Sequence, residues 1–229
     1  MKDPRSNSFL CSMYFRPNSD TAYSCGTYGM IYKTTDAGEN WNNVIFPYQQ
    51  HLRDIQFLDN KIGYVVGDKG IMYYSKNGAY QWTTVTTNVT ENLNGLYFLD
   101  KKTGYVCGDN GTIIYTNDSA VTFNKLNSGT SEKLTKIFFP DAQTGYISGS
   151  NGTFMKSTDG GNSWTAKNTN TNFTIKSFDL LNSSTIIAVG DSALYLTSTD
   201  GGENWTKSLP GKFVNYTDIT VADASKGIV

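Results

Sequence analysis

The sequence predicts an all-β chain, a β-propeller of four-stranded antiparallel blades, and three observations carry that prediction. Trp205, Trp164, Phe123, Trp82 and Trp41 are spaced by 41 residues. The same step relates Asp200, Asp159, Asp118, Asn77 and Asp36, and also Gly190, Gly149, Gly108, Gly67 and Gly26. Three unrelated residue types that keep one register without an insertion form an internal repeat, and a period near 40 fits a propeller or a solenoid. The third observation is that the apolar runs are short and rich in Val, Ile, Tyr, Phe and Thr, with no helical period. A solenoid of helix pairs is thereby excluded.

Each element follows from that grammar. Residues 1–8 are polar and contain Pro4, so they read as an extended lead-in, and Leu10 to Phe15 is the first apolar run. In the second and third copies a first strand covers Leu52 to Leu58 or Leu93 to Leu99. A polar connection follows, then a second strand, Gly63-Tyr64-Val65-Val66-Gly67 or Gly104-Tyr105-Val106-Cys107-Gly108. Asp68-Lys69 or Asp109-Asn110 are the expected turn residues, followed by Gly70 or Gly111. Glycine, Asp and Asn tolerate the positive φ that two-residue primed turns require. A third strand, Ile71 to Ser75 or Thr112 to Thr116, runs into an Asp-containing turn, and the Trp or Phe opens a fourth strand such as Trp82 to Thr86. Four short strands joined this way make one blade.

Blades are expected at about 9–46, 50–87, 92–128, 133–169 and 174–210, with a partial sixth at 214–229. The fifth is looser, since Ile186-Ile187 replaces Gly-Tyr and Ala193 replaces the second glycine. In the sixth, Ile219 aligns with Phe178, Ile137, Leu96 and Ile55. The 229 residues fall short of six full periods. The expectation is a single propeller domain that is a segment of a larger ring, because an incomplete ring exposes strand edges. A six-blade ring lacking one hairpin is the other arrangement.

Composition narrows the function classes. A formal net charge of −1 gives no electrostatic footprint for nucleic acid. No stretch approaches the roughly 20 apolar residues of a membrane span. Three cysteines, one histidine and no CxxC leave no zinc pattern, and no cofactor or metal is expected. Cys25 and Cys107 share one repeat position and read as small buried residues, while Cys11 reads as unpaired. Sequons such as Asn88-Val-Thr90, Asn172-Phe-Thr174 and Asn215-Tyr-Thr217 matter only in a eukaryotic secretory setting.

The turn after the third strand has the consensus Ser/Thr-x-Asp-x-Gly-x-x-Trp. Thr34, Asp36, Gly38 and Trp41 are one complete copy; Ser157, Asp159, Gly161 and Trp164 a second; Ser198, Asp200, Gly202 and Trp205 a third. Asn77 and Ala79 before Trp82, and Asp118 and Ala120 before Phe123, are degraded copies. A carboxylate in a tight turn accepts backbone N–H groups, glycine supplies unusual backbone angles and the indole covers the turn, so these residues read as structural. The pattern resembles the Asp-box, or BNR, repeat of sialidases and sortilin-type receptors. With Gly-Tyr-x-x-Gly-x-x-Gly added, the unit is more similar to the photosystem II stability/assembly factor family of propellers, from about Phe15 to Val229. That resemblance implies a seven-bladed assembly chaperone or, among relatives in non-photosynthetic bacteria, a secreted or surface protein. An extracytoplasmic bacterial location is accordingly expected, with no signal segment in this chain.

Catalytic readings are weak, and no catalytic residue is assigned. A sialidase-like arginine triad fails because Arg5, Arg16 and Arg53 all lie in the first quarter of the chain. Asp68, Asp109 and Asp191 are candidates for paired carboxylates, yet they occupy equivalent hairpins, as a turn requirement predicts. His51 stands alone, with no nucleophile motif beside it. For binding, the expected face carries the second-to-third-strand hairpins and the links between blades. Tyr28, Asp68, Lys69, Asp109, Asn110, Asn151 and Asp191 come from hairpins, and Tyr48, His51 and Arg53 from the first link. Exposed aromatics beside amides suit a peptide or a sugar. The expectation is a non-enzymatic interaction scaffold for a protein or glycan partner, with self-association through open blade edges. A glycoside hydrolase or lyase on an Asp-box propeller and a photosystem II assembly factor are the alternatives.

Overall fold

The computed structural model describes residues 9–208, 214–223 and 226–228, so the lead-in expected at residues 1–8 lies outside the described residues. The protein is an all-β propeller chain of four-stranded antiparallel blades. Blade one is β1 (Leu10–Phe15), β2 (Ala22–Gly26), β3 (Ile31–Thr34) and β4 (Asn42–Val44). Blade two is β5 (Leu52–Phe57), β6 (Gly63–Gly67), β7 (Met72–Ser75) and β8 (Thr83–Thr84). Blade three is β9 (Leu93–Phe98), β10 (Gly104–Gly108), β11 (Ile113–Thr116) and β12 (Asn124–Leu126). Blade four is β13 (Leu134–Phe138), β14 (Gly145–Gly149), β15 (Phe154–Ser157) and β16 (Thr165–Ala166). Blade five is β17 (Ile175–Leu180), β18 (Ile186–Gly190), β19 (Tyr195–Ser198) and β20 (Thr206–Ser208). Strands are neighbours in chain order within each blade, and β21 (Thr220–Asp223) pairs with β22 (Lys226–Ile228) as a two-stranded sheet.

The fourth strands are shorter than expected. In blade two pairing begins after Trp82, whose ring is buried in the core, so only Thr83 and Thr84 join the ladder. The chain divides into two compact units within blade three. One unit holds blades one and two and most of blade three; the other holds the 107–113 turn, blades four and five and the β21–β22 pair.

The Gly-Tyr pair that starts the second strands of blades two to four, with Ala22-Tyr23 in its place in blade one, explains how blades stack in the first unit. A Cβ at Gly63 would fall 2.5 Å from the Phe57 ring, and one at Gly104 would fall 2.4 Å from the Phe98 ring. Glycine therefore seats a ring from the first strand of its own blade. The tyrosine of the preceding blade covers that ring from the other side: Tyr23 stacks on Phe57 at 3.6 Å and Tyr64 on Phe98 at 3.9 Å. In the second unit Gly145 seats Phe139 in the same way. Blade five changes both partners together, with Ile186 for glycine and Leu180 for phenylalanine, and keeps the slot filled. Burying such rings supplies the main favourable term, about 1.5–3 kcal/mol per large apolar side chain.

Polar side chains then stitch the first strands of successive blades. In the first unit Asp54 accepts the Leu96 N–H at 2.9 Å, and Gln56 accepts the Phe98 N–H at 2.7 Å while donating to the Phe98 carbonyl at 3.3 Å. In the second unit Ser177 accepts the Ile219 N–H at 3.4 Å and Asp179 accepts the Val221 N–H at 2.8 Å. These are the same repeat positions, so backbone groups of one strand are satisfied by the strand before it. The first strand of blade one carries exposed Leu10, Met13 and Phe15 on its surface.

Candidate functional site

The hairpin between the second and third strands is a primed turn whose central pair lies one residue later than the sequence suggested. In blade two Ile71 N–H bonds to the Asp68 carbonyl at 3.3 Å, with Lys69 at φ 58 and Gly70 at φ 70. The central residues are thus Lys69-Gly70, a type I′ geometry, and Asp68 is the residue before the turn. Tyr28-Gly29, Asn110-Gly111, Asn151-Gly152 and Ser192-Ala193 repeat it with positive φ at both positions. In blades one to four the second central residue is glycine, and for a second reason. A Cβ at Gly70 would lie 2.0 Å from the Val89 carbonyl oxygen, and one at Gly152 would lie 1.9 Å from that of Thr171.

The blade links therefore run directly against the turns. Gly29 N–H donates to Gln50 O at 2.6 Å, Gly111 to Glu132 O at 2.7 Å, Gly152 to Phe173 O at 2.9 Å and Ala193 to Val214 O at 2.6 Å. The residue that opens each turn reaches back to the link before its own blade: Asp68 to His51 O, Ser150 to Lys133 O and Asp191 to Thr174 O. In blades four and five the turn is clamped between two links by main-chain bonds, which makes a rigid frame for the side chains displayed there.

A β-bulge at the start of the first strand aims a cation into the frame. The pairing of β5 with β6 slips between Leu52 and Asp54, and that of β17 with β18 between Ile175 and Ser177. Each bulge leaves one extra residue, Arg53 or Lys176, free of the ladder and redirected. Arg53 Nε bonds to Asp68 Oδ1, and Lys176 Nζ lies 2.6 Å from Asp191 Oδ1. His51 Nδ1 stands 3.9 Å from Asp68 Oδ2 and its ring meets the Tyr28 ring edge-on at 5.3 Å. In the first unit the structure thus gathers Tyr28, His51, Arg53 and Asp68 into one cluster. Lys69 is exposed beside it, with its N–H held by Asn92 Oδ1 at 3.0 Å.

The other expected positions divide. Tyr48 is committed to packing, stacked on Tyr73 at 4.7 Å. Asp109 is half-buried and Asn110 exposed at the blade-three turn. Asn151 is exposed and donates to both oxygens of Glu132, at 2.9 and 3.0 Å. Ser150 donates to Glu132 Oε2 at 2.6 Å. Glu132, a link carboxylate that holds a turn by its side chain, was not singled out from the sequence.

At the opposite ends of the third strands, the Asp turns are closed by a hydroxyl and a carboxylate. Thr34 Oγ1 donates to Asp36 Oδ1 at 2.6 Å and accepts Gly38 N–H at 3.0 Å, while Asp36 accepts Asn40 N–H at 2.9 Å. Ser157 with Asp159 and Gly161, Thr116 with Asp118 and Ala120, and Ser198 with Asp200 and Gly202 repeat the arrangement. Trp205 Nε1 donates to Gly202 O at 3.0 Å. Hydrogen bonds from Thr34 and Asn40 hold the Asp36 carboxyl at about 2; those from Thr122 and Thr116 do so for Asp118, and those from Asn204 and Ser198 for Asp200. Every carboxylate oxygen named here serves its own turn. Cys25 and Cys107 are buried and Cys11 is exposed.

A cavity of about 380 Å³ opens at blade four on the turn-and-link frame. Ser128 and Thr130 of the incoming link, Asn151 of the turn, Met155 and Trp164 of the blade, and Thr171 of the outgoing link line it. Trp164 Nε1 is buried with no hydrogen-bond partner among the described residues.

The family model of the photosynthesis system II assembly factor YCF48 matches residues 37–127 and 116–224. No curated protein matches the chain. Among solved structures, YCF48 bound to D1 peptide aligns with a TM-score of 0.76 at 16% identity, over 99% of this chain and 76% of that one. YCF48 from Cyanidioschyzon merolae gives 0.71 at 16% identity, over 91% and 76%. The GH74 enzyme of Niastella koreensis gives 0.70 at 20% identity, over 87% of this chain but only 38% of that one. At such identities the structural likeness speaks for the β-propeller fold alone. The family match, by contrast, runs through most of the repeats described above, and the chain belongs to the YCF48 family of photosynthesis system II assembly factors.

Proposed function

We propose that this protein is a non-enzymatic scaffold that binds a polypeptide partner through its turn-and-link face. One observation carries the reading: the turns are bonded to the links through main-chain groups, which leaves Tyr28 and Lys69 displayed on the frame of the first unit, and Asn110 and Asn151 on that of the second. Pre-organised exposed side chains lose little freedom on binding. The candidate acids support a binding role over a hydrolytic one. Asp68 and Asp191 each already bond a cation from their own blade, as structural turn residues do. A family member, YCF48, has been solved bound to D1 peptide, which favours a peptide over a glycan as ligand class here. Within this reading, a role in photosystem II assembly and a scaffold outside the cytoplasm of a bacterium are the two settings the family offers.

The test uses a photo-crosslinking amino acid placed at Tyr28 or Asn151, and at Asn162 in an Asp turn as control, in cells of the source organism. Protein adducts from the first two positions and none from the third are expected. Adducts equal at all three, or none at any, refute the reading. Release of reducing sugar from a panel of β-glucans would favour the hydrolase instead. The exposed Leu10, Met13 and Phe15 on β1 favour self-association as a second mode; a concentration-dependent rise in mass that Phe15→Glu abolishes is its expected signature.

A further inference from the structure

The cavity at blade four has an internal counterpart that shows what fits it. Eighty-two residues earlier, two repeats, the positions of Ser128, Thr130, Met155 and Trp164 are held by Phe46, Tyr48, Tyr73 and Trp82. In the first unit those rings form a packed cluster. Tyr48 stacks on Tyr73 at 4.7 Å, Phe46 meets Tyr73 edge-on at 5.0 Å, and Phe46 meets Trp82 edge-on at 5.9 Å. The second unit has the same turn, the same links and the same tryptophan, but Ser128 and Thr130 replace the two link rings. Protein interiors are close-packed, so removing two rings without compensation leaves space. The cavity lies at that place, and it opens beside Asn151 on the frame proposed for binding.

We propose that this cavity receives an aromatic side chain, Phe or Tyr, from the partner polypeptide, which supplies in trans the rings that Phe46 and Tyr48 supply in cis. The inference rests on the peptide-binding reading given above and names what that peptide must present. Three features of the lining suit such a guest. Trp164 offers an aromatic wall, and aromatic pairs prefer the edge-on or offset geometry that the first unit adopts. Met155 adapts its shape and makes favourable sulfur–ring contacts. The rim residues Asn151 and Thr171 are polar, as in pockets that fix orientation around an apolar floor.

The experiment titrates the ¹⁵N-indole-labelled full chain with N-acetyl-phenylalanine methylamide, N-acetyl-leucine methylamide and cellotetraose, following each tryptophan Nε1–H by NMR. Trp164→Phe assigns the reporter. A saturable shift of the Trp164 signal by the phenylalanine amide, with Kd on the order of 1 mM and at least about tenfold weaker for leucine, is expected. Ser128→Phe with Thr130→Tyr rebuilds the first unit's cluster and should abolish the shift while the Trp41, Trp82 and Trp205 signals stay in place. Thr130→Tyr alone, at a half-buried position, does the same with less demand on packing. No saturable shift, an equal response to leucine, a response to cellotetraose alone, or a shift that survives Thr130→Tyr would each overturn the proposal. Crosslinks from Tyr28 and Asn151 without a Trp164 shift would remove this pocket and leave the scaffold reading standing. A Trp164 shift without crosslinks would do the reverse.

Discussion

Replacing Ser157 with alanine removes one oxygen that organises a whole Asp turn. That hydroxyl donates to Asp159 Oδ1 at 2.8 Å and accepts the N–H groups of Gly161 at 2.8 Å and Asp159 at 3.4 Å. Ser157 is 1% exposed and Gly161 is buried, so solvent does not take over the bond to Gly161. A buried N–H without an acceptor costs about 1–3 kcal/mol, and the hydroxyl–carboxylate bond on the solvent side is lost with it. The loss is about 1–3 kcal/mol, or roughly 0.5–1.5 M in urea midpoint for a slope of about 2 kcal/mol/M. Ser157→Thr keeps the oxygen, and Thr34 and Thr116 already hold that place with the same bonds. It should stay within about 0.5 kcal/mol of the parent. Urea unfolding of the three proteins, followed by tryptophan fluorescence, measures both. Ser157→Ala within about 0.5 kcal/mol of the parent, or Ser157→Thr falling beside it, would refute the reasoning.

Acid should act through the same turns. The Asp36, Asp118 and Asp200 carboxyls sit at about 2, below the unfolded value near 3.9, so their stabilisation is complete above about pH 4 and lost as pH falls through 2. A triple Asp→Asn variant should lose less stability over that interval; matching pH profiles would contradict the assignment. Gly63→Ile should destabilise by about 1–3 kcal/mol through its clash with the Phe57 ring. Phe57→Leu in the same chain, the pairing blade five carries as Ile186 with Leu180, should recover part of it. A double-mutant cycle that sums to zero coupling would show that the two positions do not share a slot. Arg53→Ala should change global stability by no more than about 1 kcal/mol, because the ion pair with Asp68 is about one-third exposed.

Much of the architecture was legible because the repeat is strict. Trp, Asp and Gly in one register gave the blade count among the described residues, and the first strands begin at Leu52, Leu93, Leu134 and Ile175 in that same register. The primed turn was legible too, but its phase was not. Asp68 and Lys69 both tolerate positive φ, and only the bond from Ile71 to Asp68 places the central pair at Lys69-Gly70. The bulge at Arg53 left no mark in the sequence, since slipping one residue out of a ladder needs no special residue type. Tyr48 looked exposed because it lies in a link; its stacking on Tyr73 depends on a side chain from another strand. The blade-four cavity was missed for a related reason. Ser128 and Thr130 are ordinary link residues until set beside Phe46 and Tyr48, and a missing ring is visible only against the copy that has it.

The side-chain bonds between successive first strands bear on how such a chain can change length over evolution. Asp54 serves Leu96, Gln56 serves Phe98, Ser177 serves Ile219 and Asp179 serves Val221, so blades two and five carry part of the wiring of the strand that follows, while the same positions are Gly95 and Tyr97 in blade three and Lys136 and Phe138 in blade four. A duplication or deletion that begins and ends at the same phase of the 41-residue period transfers donors and acceptors together. One that breaks inside a blade strands acceptors beside the wrong backbone. Unequal recombination in phase therefore yields chains with whole blades gained or lost, and the out-of-phase products are removed by misfolding before function is ever tested.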